Sequence, residues 1–234
     1  MANRQFSQYL LNRGILSSDN AGRVLAKSLH AVPDLAVLAL EKGLITSQQA
    51  KKLLGVKEFV VAALEENYLN ALQLDELKKA VPDRSACLGQ VLLEEGIVDI
   101  HTLAKLFEDS RDEESHPVDD VIKEMWEAQG WDAHEHAYIR EYVKLFLKAM
   151  RKFMHAEALI IPNEDLDLVD ATYLIHQSMG GALRLTVGCR MTGNVLLAMA
   201  GRFSGEEETE VNEMAIDCIE EFANVINGLY IVHM

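Results

Sequence analysis

Four stretches in the first half of the chain repeat one order of apolar and polar positions. Two apolar residues are followed by two mostly polar ones, a Gly or Asn, and two more apolar residues. The stretches are LLNRGIL (Leu10–Leu16), ALEKGLI (Ala39–Ile45), ALEENYL (Ala63–Leu69) and LLEEGIV (Leu92–Val98). Their pivots, Gly14, Gly43, Asn67 and Gly96, lie 29, 24 and 29 residues apart, so two matching pairs are joined in tandem. Gly and Asn tolerate the left-handed backbone that ends a helix, and each pivot is therefore predicted to be a helix C-cap. Beyond each pivot stands an N-cap residue (Ser17, Thr46, Asn70 or Asp99), which starts a second short helix. The pattern predicts a series of helix–turn–helix units that bury their apolar faces on one another.

The second half reads differently. Glu108–Asp120 (EDSRDEESHPVDD) is polar, acidic and broken by Pro117, as a linker would be. A short helix is expected over Val118–Gln129, ended by Gly130. Asp132 and Glu135 form a capping-box pair for a long helix reaching about His155. Its apolar positions are Ile139, Val143, Leu147, Met150 and Met154, flanked by Phe146 and Phe153. After Pro162 the period shortens, predicting strands at Leu168–Gln177, Ala182–Arg190 and Asn194–Ala200, with a turn at Ser178–Gly181. A final helix starts near Glu208–Val211, docked by Met214, Ile219, Phe222, Val225, Ile226 and Leu229. Along it Asp217, Glu221 and Asn224 are spaced D-x3-E-x2-N, which sets three polar groups on one helical stripe. A carboxylate and a carboxamide one turn apart can grip a partner's cation and hold a water. A solvated helix face explains the same stripe without chemistry.

Charge sharpens the contrast between the halves. The 234 residues carry a net charge of −15. Residues 1–112 hold 13 Lys/Arg against 15 Asp/Glu, and residues 113–234 hold 9 against 22. So acidic a second half repels phosphate backbones, arguing against nucleic acid or an anionic membrane and for a basic partner surface. No run approaches the ~20 apolar residues of a membrane span, and the N-terminus lacks the pattern of a secretory signal. Cys87, Cys189 and Cys218 are few, odd in number and scattered, as expected of reduced, buried thiols in a cytoplasmic protein. Trp126 and Trp131 are assigned to packing of the linker helix, and Met125, Met150 and Met154 to core. His134 and His136 stand two apart and point away from each other on a helix, which does not suit a metal site. No phosphate-binding G-x-x-x-x-G-K-[ST] loop, G-x-S-x-G or Cys–His arrangement occurs.

Two resemblances follow from these residues. Residues 5–110, with Cys87–Val98 (CLGQVLLEEGIV) nearest the motif, resemble the N-terminal domain of GspE/MshE-type secretion and pilus ATPases. Some members of that family bind cyclic di-GMP through an opening Arg, an early Gly and a closing Gln. Here the opening position is Gln5, Asp34, Glu58 or Cys87, the closing one is Ser28, Lys57, Val81 or Ser110, and the early Gly is kept only as Gly89. Asp or Glu cannot replace a guanidinium on a phosphate, so the resemblance implies a kept scaffold without cyclic di-GMP binding.

Met191–Met199 (MTGNVLLAM) and Asn212–Gly228 resemble the CheC/CheX/FliY family of chemotaxis phosphatases. Its signature, [DS]-x3-E-x2-N with a Gly four residues later, is matched by Asp217, Glu221, Asn224 and Gly228. The resemblance implies hydrolysis of the aspartyl phosphate of a response-regulator receiver domain. Glu221 would bind the regulator's Lys, Asn224 would orient the water, and Asp217 would support the site. No cofactor of its own is implied, since Mg2+ sits on the regulator. In that family further strands and another helix follow the motif helix, whereas this sequence stops at Met234. A homodimer that supplies the missing half, or a shortened chain, is expected.

The resulting fold class is α+β. An all-helical repeat domain (1–112) and a linker with a short helix (113–131) precede an α/β CheX-like domain of helix, antiparallel strands and helix (132–234). The alternative to the phosphatase is a non-catalytic adaptor docking signalling, motility or secretion proteins.

Overall fold

A computed structural model describes residues 6–80, 84–111, 116–132, 137–161, 172–180, 184–206 and 209–233. The chain divides into two compact units, Met1–Val121 and Ile122–Met234. The first is all helical: α1 (Phe6–Asn12), α2 (Ser18–Ser28), α3 (Leu35–Glu41), α4 (Ser47–Leu53), α5 (Phe59–Glu65), α6 (Ala71–Lys79), α7 (Arg84–Glu94) and α8 (Ile100–Ser110). α9 (Pro117–Gln129) carries the chain across the division, with Pro117 at its first turn, where a missing N–H costs nothing.

All four pivots adopt the left-handed conformation, with φ of 68° at Gly14, 68° at Gly43, 56° at Asn67 and 66° at Gly96. At each, the pivot N–H bonds back three residues and the next N–H bonds back five, closing a Schellman turn. The Ile15 N–H, for example, donates to Leu10 O at 2.9 Å. Ser17, Thr46, Asn70 and Asp99 then accept from the backbone N–H three residues on, and the first three complete capping boxes with Asn20, Gln49 and Gln73. The turn fixes which residues face inward. Four before the pivot stand Leu10, Ala39, Ala63 and Leu92; two after it, Leu16, Ile45, Leu69 and Val98; seven after it, Ala21, Ala50, Leu74 and Leu103. All twelve are buried.

Packing order is not chain order. The fourth repeat (α7, α8) touches both the first (α1, α2) and the second (α3, α4), and the second touches the third (α5, α6). Arg23 and Lys27 of α2 both pair with Glu95, just past α7. Several positions weighed as ligand-contacting serve as caps and ties. Asp34 caps α3 by accepting from Ala36 N and also accepts from Gly55 N at 3.0 Å. Ser28 and Ser110 each donate their hydroxyl to the carbonyl three residues back. Arg111 donates to Glu41 O and Phe107 O, tying the ends of α3 and α8.

The second unit holds α10 (Ala137–Phe153), β1 (Tyr173–Met179), β2 (Leu185–Met191), α11 (Gly193–Ser204) and α12 (Glu213–His233). The strands form an antiparallel hairpin that pairs Tyr173 with Met191 and Met179 with Leu185. The expected third strand, Asn194–Ala200, is instead most of α11. Thr192 caps it by accepting from Val195 N, and Leu196, Met199, Ala200 and Phe203 supply its inward stripe at helical spacing. Only Val195 in that run is β-branched, so little favoured a strand. The order is thus helix, two strands, helix, helix.

Other limits shift. Ser178 and Met179 belong to β1 rather than to a turn, and α12 starts at Glu213. α10 ends before His155, itself left-handed at φ 48°. Of its expected apolar positions Phe146, Met150, Phe153 and Met154 join the core, together with Tyr142 and Ala149, while Ile139 and Val143 face β2 along an open groove. Met154 is fully buried, but Trp131 is 48% exposed, and the three cysteines are half-buried rather than buried. His134, Glu135, Leu168, Val81 and Gln5 lie outside the described residues.

Gly89, the one retained early glycine, has a packing reason. A Cβ there would stand 2.6 Å from Phe107 Cζ, and Phe107 is fully buried against Phe6. Gly89→Ala should therefore destabilise the repeat unit by about 1–2 kcal/mol in chemical denaturation, overpacking outweighing a helix-propensity gain of about 1 kcal/mol. Adding Phe107→Leu should recover part of that loss; a strictly additive double variant would exclude the contact.

Candidate functional site

α12 is positioned by its capping and its inner face. Asn212 accepts from Ala215 N at 2.9 Å and starts the helix. Ala215, Ile219, Phe222, Ile226 and Tyr230 recur at i, i+4, i+7, i+11 and i+15 and are all buried. They pack against α10, α11 and the hairpin, with Phe222 edge-on to both Phe146 and Phe203. Met214 and Leu229, expected to dock the helix, are instead 61% and 42% exposed. They lie one position to the side of the buried stripe.

A chain of polar side chains, buried at Tyr142 and Asn227, fixes the roll of α12. The Tyr142 hydroxyl donates to Asn227 Oδ1 at 2.8 Å, and Asn227 Nδ2 donates to Gln177 Oε1 at 2.7 Å. Gln177 Nε2 in turn donates to Glu220 O, and the Tyr230 hydroxyl donates to Tyr138 O. At the buried end, Tyr142 and Asn227 satisfy each other, and losing either partner would be costly. Burial, reinforced by the neighbouring Cys189 and Tyr230, pushes the Tyr142 phenol up to about 12. Burial likewise raises the Cys189 thiol, away from the reactive thiolate. Sequence reasoning missed Asn227 and Tyr142. A polar residue at the inward helical position between Phe222 and Tyr230 was the available signal.

With that roll set, Asp217, Glu221 and Asn224 all emerge on the exposed side of α12. The structure brings Glu221 and Asn224 together, Asn224 Nδ2 lying 3.4 Å from Glu221 Oε2. Asp217 stands one turn N-terminal and touches neither. No Lys or Arg occurs between residues 213 and 233, and neither Asp217 nor Glu221 has an ion pair among the described residues. Gly228 continues the stripe one turn beyond Asn224. Its surface is open, since a Cβ there would meet nothing within 4 Å. A mid-helix glycine costs about 1 kcal/mol relative to Ala, and no neighbour in the fold requires it.

Chemically, the stripe presents an uncompensated carboxylate and a carboxamide with free hydrogen-bonding capacity, beside a flat backbone surface. Among the described residues no three His, Cys, Asp or Glu side chains converge as a metal site would require, and no helix is long and apolar enough to cross a membrane. No protein-family model, curated protein or solved structure matches the chain.

Tyr142 gives a pH test. Its folded-state pKa lies above the ordinary phenol value, so the folded state holds the proton more tightly than the unfolded chain does. The stability that Tyr142 contributes to the second unit should be full below about pH 10 and be lost as pH rises toward 12. Tyr142→Phe should weaken that alkaline fall, leaving the part due to Tyr230 and Cys189, and should cost about 1–3 kcal/mol at neutral pH by orphaning Asn227. Urea midpoints measured across pH check both, and an unchanged alkaline limb would contradict the buried phenol.

Proposed function

We propose that the second unit dephosphorylates the aspartyl phosphate of a response-regulator receiver domain, as the CheC/CheX-like resemblance of its motif implies. The observation that carries this is the shared exposure of Glu221 and Asn224 on one face of α12, 3.4 Å apart and free of cationic neighbours. Glu221 pairs with the regulator's lysine and anchors the complex. Asn224 holds a water in line with the phosphorus. The water oxygen bonds to phosphorus as the aspartyl P–O bond breaks, the electron pair returns to the regulator's carboxylate, and inorganic phosphate leaves. The regulator's own Mg2+ and lysine stabilise the charge on the transferring group, so this chain contributes chiefly position. Asp217 supports docking, and bare Gly228 lets the regulator's backbone approach closely.

The assembly implied is a homodimer. β2 pairs only with β1 among the described residues, and its other side borders a groove lined by Ile139, Val143, Phe146, Leu185 and Val187. An unpaired strand edge beside apolar surface invites a second copy. Sedimentation at micromolar concentration should show dimer; monomer alone would reject the assembly and leave the chemistry to its own test.

A specific observation favours the adaptor reading as the second choice. The repeat unit exposes Leu29, Val32 and Leu72 at 55%, 84% and 77%, apolar side chains that a docked partner would cover. One experiment separates the two. Timing phosphate loss from phosphorylated receiver domains should show acceleration by the protein, abolished in Asn224→Ala and weakened through binding in Glu221→Ala, with the fold of both intact. Binding without faster loss would establish the adaptor instead.

A further inference from the structure

α10 gathers charge of the wrong sign for its surroundings. Arg140, Lys144, Lys148, Arg151 and Lys152 are five of the nine Lys/Arg in residues 113–234, against 22 Asp/Glu there. Arg151 and Lys152 lie in the last turn, where cations complement the helix dipole. Lys144 and Lys148 have no such explanation. Lys144, Lys148 and Lys152 follow at i, i+4 and i+8, so each faces a like charge one turn away, at a small cost to the helix. Lys148 has no ion-pair partner among the described residues, and Glu141 stands 3.9 Å from Lys144 at one end of the row.

Beside this row runs an open groove of about 420 Å3 lined by Leu145, Ala149, Phe153, Leu229 and Val232. Leu229 and Val232 are 42% and 88% exposed, and Val232 follows the buried Tyr230 at the end of α12. The three ammonium groups flank an apolar floor over about 12 Å of helix, or two turns. An anionic bilayer is a poor match, because the carboxylate excess of this half repels it. A helix with apolar residues on one face and carboxylates along the adjoining edge matches both features at the right spacing.

We propose that the groove along α10 docks an acidic amphipathic helix of a partner protein, its carboxylates meeting Lys144, Lys148 and Lys152 and its apolar face covering Leu145, Phe153, Leu229 and Val232. This surface is made by other residues than the Glu221–Asn224 pair, so it stands or falls independently of the phosphatase reading.

The test uses the full chain and a fluorescent synthetic peptide of about 18 residues, long enough to form a helix. Leu occupies its i, i+3, i+4 and i+7 face and Glu the flanks; comparison peptides carry Lys in place of Glu, or the same residues scrambled. Anisotropy should show binding of the acidic helix alone, weakening as salt rises from about 50 to about 500 mM. K148E/K152E should weaken it about tenfold or more, the scale for reversing two solvent-screened contacts, and Val232→Ser should weaken it severalfold. Lys105→Glu, a charge reversal in the repeat unit, and Asn224→Ala should leave it unchanged. Equal binding of acidic, basic and scrambled peptides would overturn the proposal. So would indifference to K148E/K152E, or a fluorescent long-chain carboxylate occupying the groove where the peptide does not.

Discussion

The second unit depends on a single buried carboxamide. Asn227 occupies an inward position of α12, where an unpaired amide would cost a large fraction of a small domain's stability. Its oxygen is satisfied by the Tyr142 hydroxyl and its nitrogen by Gln177. Those two partners come from α10 and β1, so one side chain fixes the roll of α12 against both. Rotating α12 by one residue would break both bonds and expose Phe222. The same constraint holds α10 with Tyr142 inward, which leaves its lysine row facing outward. The polar stripe and the cationic row are both set by what must be kept dry.

The first unit answers a different constraint, since its helices are too short to persist alone. Within each repeat a left-handed residue terminates the first helix and a side-chain oxygen starts the second. The turn sets a register in which the same positions point inward every time, so a small apolar set suffices. Where the two helices of the fourth repeat press together the sequence narrows to glycine, at Gly89 beneath Phe107.

Much of this was legible in the residues, and for a physical reason. Helix ends are written locally, so the pivots and caps of the repeats were readable from single positions. The exposed stripe was equally readable because it needs only helical spacing. The run Asn194–Ala200 misled because its six consecutive apolar residues fit either period, and the deciding partners, Phe203 and the cap at Thr192, lie outside it. Tyr142 was passed over in favour of Ile139 and Val143 because a hydroxyl looks solvent-bound until its acceptor is known. That acceptor lies 85 residues away, beyond anything spacing can reveal.

The way the repeats interlock has a consequence for how the unit comes apart. In an open solenoid each module touches only its sequence neighbours, so unfolding can fray from an end. Here the opening helices lie against the closing ones, clasped by Arg23 and Lys27 on Glu95. With head bound to tail the two ends of the unit hold each other, and the third repeat, held chiefly through the second, becomes the module from which melting starts.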